Sequence, residues 1–125
     1  MRLLLDTHLV LWAMQDSPAL SAAARKHLRN AEAVFVSAAS LWEIAIKSSL
    51  GRLQVDTEQL ELKLADAGFQ QLPVTWSHAV RVRQLPLLHR DPFDRLLVAQ
   101  AMSEPLQLLT QDSALAEYTD LVTLV

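Results

Sequence analysis

The chain has 125 residues, of which 51% are hydrophobic and 20% charged, and its formal net charge is −3. This length and balance predict a single domain over residues 1–125 that buries its own core. The absence of cysteine excludes disulfide scaffolds, thiol nucleophiles and cysteine-ligated metal centres. An acidic balance does not indicate a nucleic-acid-binding protein. No uncharged apolar run is long enough to cross a membrane, so we expect a soluble, cytoplasmic protein.

Short apolar runs alternate with helical patterns along the chain. In chain order, strands are predicted at 3–5, 33–36, 72–74, 106–109 and 121–125, and helices at 7–15, 20–31, 40–50, 57–67, 77–84, 93–103 and 113–118. Gly51 and Pro105 mark two helix ends. Because the strands are nearly continuous apolar runs, helices are expected on both sheet faces. The pattern therefore predicts an α/β fold, a three-layer α/β/α sandwich around a parallel sheet.

Acidic side chains lie where the predicted strands lead into helices. Asp6 directly follows the first strand, Asp112 follows the fourth, and Glu43 lies one turn into the helix after the second. Asp91 and Asp94 lie at the N-terminal end of the predicted helix 93–103, and the residues that follow them are mostly apolar. The crevice of an open parallel sheet lies outside the carboxyl ends of its strands. We therefore expect these acids to meet at one edge of the sheet.

Helix capping is an alternative explanation for each acid taken singly. Ser40 and Glu43 fit a capping box, and Asp91 before Pro92 fits an N-cap followed by proline. Capping alone does not explain why acids from separate junctions converge. Carboxylates in one partly dry crevice repel one another unless a cation lies among them. Mg²⁺ or Mn²⁺ suits such oxygen ligands, and these ions support phosphodiester hydrolysis by activating water.

Four sequence segments resemble one known family. They read LLLDTH at 3–8, SAASLWEI at 37–44, HRDPFDRLLVAQA at 89–101 and LTQD at 109–112. In order and spacing they resemble the PIN domain, and more narrowly the VapC-type toxins of prokaryotic toxin–antitoxin pairs. The resemblance implies a five-stranded parallel sheet and an endoribonuclease that depends on Mg²⁺ or Mn²⁺. It also implies an RNA substrate, an inhibitory antitoxin protein and a homodimer.

The resemblance assigns catalysis and metal binding to four acids, which are Asp6, Glu43, Asp94 and Asp112. Asp112 matches the most variable of these positions, and the residues after it lack the aromatic side chain of many relatives. Thr7, Ser40 and Thr110 match small hydroxyl positions that orient carboxylates or metal-bound water. These three are therefore expected to support the site.

Several neighbouring residues have more than one interpretation. Asp91 is interpreted mainly as a helix cap. Arg95 either pairs with Asp94 or contacts a substrate phosphate. His89 is expected near the crevice in a loop hydrogen bond, and Lys47 belongs to a group of basic residues that form either a solvated face or an RNA contact.

The tryptophans and the remaining function classes also leave alternatives. Trp12 and Trp42 belong either to the core or to a partner surface, and core packing is favoured for Trp42. A phospho-acceptor signalling domain would also hold Mg²⁺, but residues 72–76 contain no acid to accept the phosphoryl group. A non-catalytic PIN-like binding or regulatory module would use the acids only as helix caps. Activity on RNA with a divalent metal separates that module from a nuclease.

Overall fold

A computed structural model describes all 125 residues of the chain. The strands are β1 (Arg2–Leu5), β2 (Ala33–Ser37), β3 (Gln70–Leu72), β4 (Gln107–Thr110) and β5 (Val122–Leu124). The helices are α1 (Thr7–Met14), α2 (Ala22–Asn30), α3 (Ala38–Ser49), α4 (Thr57–Asp66), α5 (Trp76–Val82) and α6 (Pro92–Ser103), with a short 3₁₀ helix at Ser113–Glu117. None of these helices combines the length and the apolar character that a membrane crossing requires.

The five strands form one sheet in the order β3-β2-β1-β4-β5, and every neighbouring pair is parallel. The central strand β1 pairs with β2 on one side and β4 on the other. Since all strands run in one direction, their carboxyl ends lie at a single edge. The predicted five-stranded parallel sheet is confirmed.

Helices cover both faces of this sheet. Leu3 and Leu5 belong to a core cluster with apolar side chains of α1, α2, α3 and α4. Leu4 points to the opposite cluster, where it packs with residues of α6 and with Leu108 and Leu115. Alternate residues of one strand thus enter different cores, as the near-continuous apolar runs predicted. The three-layer α/β/α sandwich is confirmed.

Two local predictions need correction. The third strand lies at Gln70–Leu72 and not at 72–74, because Pro73 lacks the N–H that would continue the ladder. Helix α3 begins at Ala38, two residues earlier than predicted, with Ser37 as its N-cap. Ser37 Oγ accepts the Ala39 N–H at 3.0 Å, so the proposed capping box at Ser40 is wrong. The predicted end of this helix at Gly51 is confirmed by its positive φ of 75°.

Candidate metal centre

The carboxyl edge of the sheet opens into a polar cleft of about 350 Å³. Its lining comprises Asp6, Thr7, His8, Leu9, Trp12, Glu43, Lys47, Asp91, Asp94, Thr110, Gln111 and Asp112. All five acids singled out from the sequence therefore lie around one space. They arrive from the ends of β1 and β4, from the second turn of α3 and from the N-terminal end of α6. The parallel topology brings them together because it places these junctions at the same edge.

Asp6 is buried at the end of β1 and is held through both carboxylate oxygens. Its Oδ1 accepts the His8 N–H at 2.9 Å and so caps α1. Its Oδ2 accepts the Thr110 hydroxyl at 2.8 Å. Thr110 Oγ1 in turn accepts the Asp112 N–H at 3.0 Å. One hydroxyl therefore ties the end of β4 to the carboxylate that follows β1.

Glu43 projects from α3 with 5% of its surface exposed. Its Oε2 lies 2.7 Å from Lys47 Nζ, one helical turn away. Its Oε1 is buried and has no hydrogen-bond partner in the protein. A buried, unpartnered carboxylate oxygen is costly unless a cation or a donor satisfies it. Lys47, which the sequence placed only in a general basic group, thus belongs to the cleft.

The hydroxyl pair at the start of α1 and α3 lies beside these acids. Thr7 Oγ1 donates to Ser40 Oγ at 3.0 Å, and both side chains are buried. This bond joins the two helices that carry Asp6 and Glu43.

Trp42, next to Glu43, is 63% exposed and packs edge-on against Phe93. The core position favoured for Trp42 is therefore wrong.

Asp91 directly precedes α6, and Asp94 lies in its first turn. Asp91 Oδ1 accepts the N–H groups of Phe93 at 2.8 Å and Asp94 at 3.2 Å, so Asp91 is a helix cap. The pKa of Asp94 is raised to about 7, first by burial and then by the negative charges of Asp6 and Asp91. Glu43 adds to the rise, whereas His89 opposes it. At neutral pH, a proton and a metal ion therefore compete for this carboxylate.

Asp112 and His89 close the far side of the cleft. Asp112 Oδ1 accepts the Ala114 N–H at 2.9 Å and caps the 3₁₀ helix. His89 Nε2 lies 3.0 Å from Asp112 Oδ2 and 3.4 Å from Asp94 Oδ2. Ligand atoms of these three residues lie within 4.8 Å of one another. The expected loop hydrogen bond of His89 also exists, but its contact with two acids went unpredicted.

Arg95 plays neither of the roles expected for it. Its side chain is buried, and its guanidinium donates to the carbonyl oxygens of Pro86 at 2.8 Å and Val82 at 3.2 Å. It also donates to the Tyr118 hydroxyl at 3.1 Å. Successive helical residues point about 100° apart, so the side chain after Asp94 leaves the cleft. Arg95 instead anchors the loop that precedes α6.

The donor set fits a hard divalent cation. Carboxylate oxygens dominate the cleft, and Mg²⁺ and Mn²⁺ bind through one or more carboxylates in near-octahedral geometry. The unpartnered Glu43 Oε1 and the raised pKa of Asp94 both report negative charge that the protein leaves uncompensated. A cation among the acids would relieve both. The arrangement is therefore suited to chemistry on a phosphate-containing substrate.

Comparison with known proteins gives a consistent result. The PIN domain family model matches residues 3–121. Ribonuclease VapC22 of Mycobacterium tuberculosis is 30% identical over 117 residues, which cover 92% of this chain and 90% of that protein.

Solved structures share the fold over nearly the whole chain. VapBC2 from Rickettsia felis, bound to a promoter DNA fragment, aligns with a TM-score of 0.70 at 17% identity and covers 98% of this chain and 96% of that one. FitAcB from Neisseria gonorrhoeae aligns with the same TM-score and coverage at 19% identity. Because the family model matches residues 3–121 of this chain, the chain belongs to the PIN-domain family, and Ribonuclease VapC22 is one of its relatives.

Proposed function

We propose that this chain is a metal-dependent endoribonuclease and the toxin of a toxin–antitoxin pair. The observation that carries the proposal is the convergence of acids from four separate junctions on a cleft in which Glu43 Oε1 has no protein partner. Kinship with a protein named as a ribonuclease supports RNA as the substrate. The proposal includes a single domain over residues 1–125 and a cytoplasmic location.

In this proposal, Asp6, Glu43 and Asp94 hold the divalent ion, either Mg²⁺ or Mn²⁺, and Asp112 assists. Asp6 is already oriented by Thr110, so its carboxylate needs little rearrangement. Glu43 offers its free Oε1, and Asp94 releases its proton when the ion binds. The four acids thus differ in how firmly the protein holds them before the ion arrives.

The cleft residues prepare the site for a phosphodiester. When bound, a divalent ion activates water and neutralises charge on the phosphate. Thr110 fixes the distance between the β1 and β4 ends, and Lys47 balances part of the charge on Glu43. Apart from the four proposed ligands, the chain holds 10 acidic and 11 basic residues. Once the ion is in place, the remaining charge does not oppose a polyanion.

The proposed partners follow from the relatives. Among the solved structures with the same fold, one from Klebsiella pneumoniae is a toxin–antitoxin complex by name, and VapBC2 from Rickettsia felis is bound to promoter DNA. We extend this to an inhibitory antitoxin and a homodimer for the present chain. Large apolar side chains are available for such contacts, since Trp76 is 92% and Leu87 89% exposed.

The test is cleavage of a mixed pool of structured RNAs by purified, antitoxin-free protein with Mg²⁺, Mn²⁺ or EDTA. We expect discrete fragments that disappear with EDTA and fall at least about a thousandfold in rate with Asp6→Asn or Glu43→Gln. Glu58→Gln, on the exposed face of α4, is the matched control and should cleave like the parent. Absence of cleavage by folded protein with either metal would contradict the enzyme and favour the non-catalytic binding module.

A further inference from the structure

Both ring nitrogens of His89 are engaged in the structure. Nδ1 accepts the main-chain N–H of Asp91 at 3.1 Å. Nε2 lies 3.0 Å from Asp112 Oδ2 and 3.4 Å from Asp94 Oδ2. A main-chain N–H can only donate, so Nδ1 carries no proton. In the neutral ring the proton is therefore on Nε2, which donates to Asp112 Oδ2.

This tautomer decides between two possible roles of His89, which are metal ligand and hydrogen-bond donor. A metal-binding imidazole nitrogen must be free of its proton. Nε2 would lose its proton only if Nδ1 gained one, and that would break the bond from the Asp91 N–H. Asp91 is itself fixed as the cap of α6. The same turn that begins α6 thus sets His89 as a hydrogen-bond donor to Asp112 and not as a metal ligand.

The position of the His89 ring is built into the fold. The His89 N–H donates to the Tyr118 hydroxyl at 2.9 Å. Arg95 donates to the same hydroxyl and to the Pro86 carbonyl in the loop before His89. Because Arg95 lies on the buried face of α6, its hydrogen bonds fix the loop to that helix. The ring is therefore held from its backbone as well as from Nδ1.

Asp112 is the carboxylate that the hydrogen bond from His89 restrains most. Its side chain is 39% exposed, whereas that of Glu43 is 7% exposed. One of its oxygens caps the 3₁₀ helix through Ala114, and the other meets His89. Without His89, rotation about the last side-chain bond of Asp112 is opposed only by the cap.

We infer that His89 is a positioning residue of the nuclease site, in which its Nε2–H orients Asp112 toward the cleft, beside Asp94. The inference rests on the proposed function, because the role matters only if these acids act together. It adds to the four acids a fifth group that is neither acidic nor a ligand. Loss of an orienting group of this kind typically costs about tenfold to a hundredfold in metal affinity or activity.

The first test is the ¹⁵N spectrum of the histidine rings in metal-free protein at alkaline pH, where imidazole is neutral. We expect a pyridine-type shift for His89 Nδ1 and a pyrrole-type shift for Nε2. His78 provides an internal reference, because its Nδ1 also accepts a main-chain N–H, from Thr75. The opposite tautomer at His89 would overturn the inference. This readout does not depend on whether the protein cleaves RNA.

The second test compares two substitutions that each keep one half of the ring. In His89→Asn, the amide oxygen replaces Nδ1 as acceptor for Asp91, and the donor to Asp112 is lost. In His89→Gln, the amide nitrogen takes the place of Nε2, and the donor is kept. We expect about a tenfold to hundredfold fall in kcat for His89→Asn, with little change in KM for RNA, and recovery of most of that loss in His89→Gln.

A double substitution shows whether His89 acts through Asp112. In an Asp112→Asn background, His89→Asn should have much less effect than alone, because the group that it orients has changed. Equal losses in both backgrounds would overturn the role through Asp112. Parent-like cleavage by His89→Asn would overturn the inference and leave the nuclease standing. Failure of the nuclease itself would appear separately, either as absence of cleavage by the folded parent protein or as cleavage that is insensitive to Asp6→Asn.

Discussion

Two histidines in this chain are arranged alike but lie in different surroundings. In each ring, Nδ1 accepts a main-chain N–H, from Thr75 for His78 and from Asp91 for His89, at 3.1 Å in both cases. In each ring, Nε2 faces a carboxylate. Both main-chain donors belong to residues that cap a helix. The same local device therefore occurs twice.

The difference lies in the charge around each ring. His78 is 2% exposed, contacts Glu104 through Nε2 and lies against Gln100 of α6. One imidazole thus meets one carboxylate, and the pair joins α5 to α6. His89 instead faces two carboxylates of a cleft with five, and Glu43 Oε1 there has no partner. A balanced pair stabilises the fold, whereas an unbalanced cluster leaves charge available for a ligand.

The largest expected difference between the two histidine surroundings comes from neutralising one carboxylate beside His89 and one beside His78. Asp94→Asn should lower RNA cleavage at least about a thousandfold, because a proposed ligand is lost. The carboxyl of Asp94 has a pKa raised to about 7. The folded protein therefore holds this proton more tightly than the unfolded chain, and the free energy of unfolding falls as pH rises from about 4 to 7. Asp94→Asn should remove this fall and stabilise the metal-free protein at neutral pH.

Glu104→Gln should have the reverse effects. Cleavage should stay within about twofold of the parent, whereas the free energy of unfolding should fall by about 1 kcal/mol because His78 loses its charged partner. Thermal melts and cleavage rates of the two variants provide the comparison. A destabilised Asp94→Asn, or an inactive but folded Glu104→Gln, would contradict the division between the two regions.

The pH dependence of metal binding gives the next contrast. Below about pH 7, Asp94 holds a proton that the ion must displace. The apparent Mn²⁺ affinity should therefore rise about tenfold per pH unit below 7 and level off above it. Calorimetric titration in buffers of different ionisation enthalpy measures both the affinity and the proton release. A flat profile from pH 5 to 8 would contradict the competition between proton and metal.

How much of this site was predictable follows from where its determinants lie in the sequence. Asp6 and Asp112 come within a few residues of apolar strands, and a parallel sheet brings such positions together whatever the details of packing. The acids at the start of α6 were likewise visible from Pro92 and the apolar helix that follows. Local patterns were therefore sufficient to place the acids at one edge.

The errors at the site concern contacts between distant parts of the chain and the phase of one helix. Arg95 finds its acceptors at residues 82, 86 and 118, and no local pattern predicts three such partners. His89 meets Asp112 across 23 residues. Core packing was favoured for Trp42, yet the buried face of α3 is formed by Ala39, Ser40, Glu43 and Ile44, and Trp42 lies on the opposite, exposed face. Helix phase and long-range pairing are decided by packing, which the sequence patterns do not specify.

The smallest expected effect concerns Lys47, the one ammonium group in the cleft. Its Nζ lies 2.7 Å from Glu43 Oε2, and the side chain is 38% exposed. In the metal-free protein it balances part of the acidic charge, and it opposes an incoming cation at the same carboxylate. Lys47→Met should therefore raise Mn²⁺ affinity about two- to fivefold, since the ammonium end of the pair is partly exposed and solvent screening keeps such a pair near or below about 1 kcal/mol.

The matched control for this titration is Lys26→Met, on α2 and outside the cleft. It removes the same charge from the protein as a whole, so any gain shared by both variants reflects net charge and not the Glu43 pair. A fall in Mn²⁺ affinity for Lys47→Met alone would mean that Lys47 orients Glu43 for the ion. In that case the salt bridge would resemble the pair at His78, in which a partner fixes a carboxylate, more than the unbalanced cluster around His89.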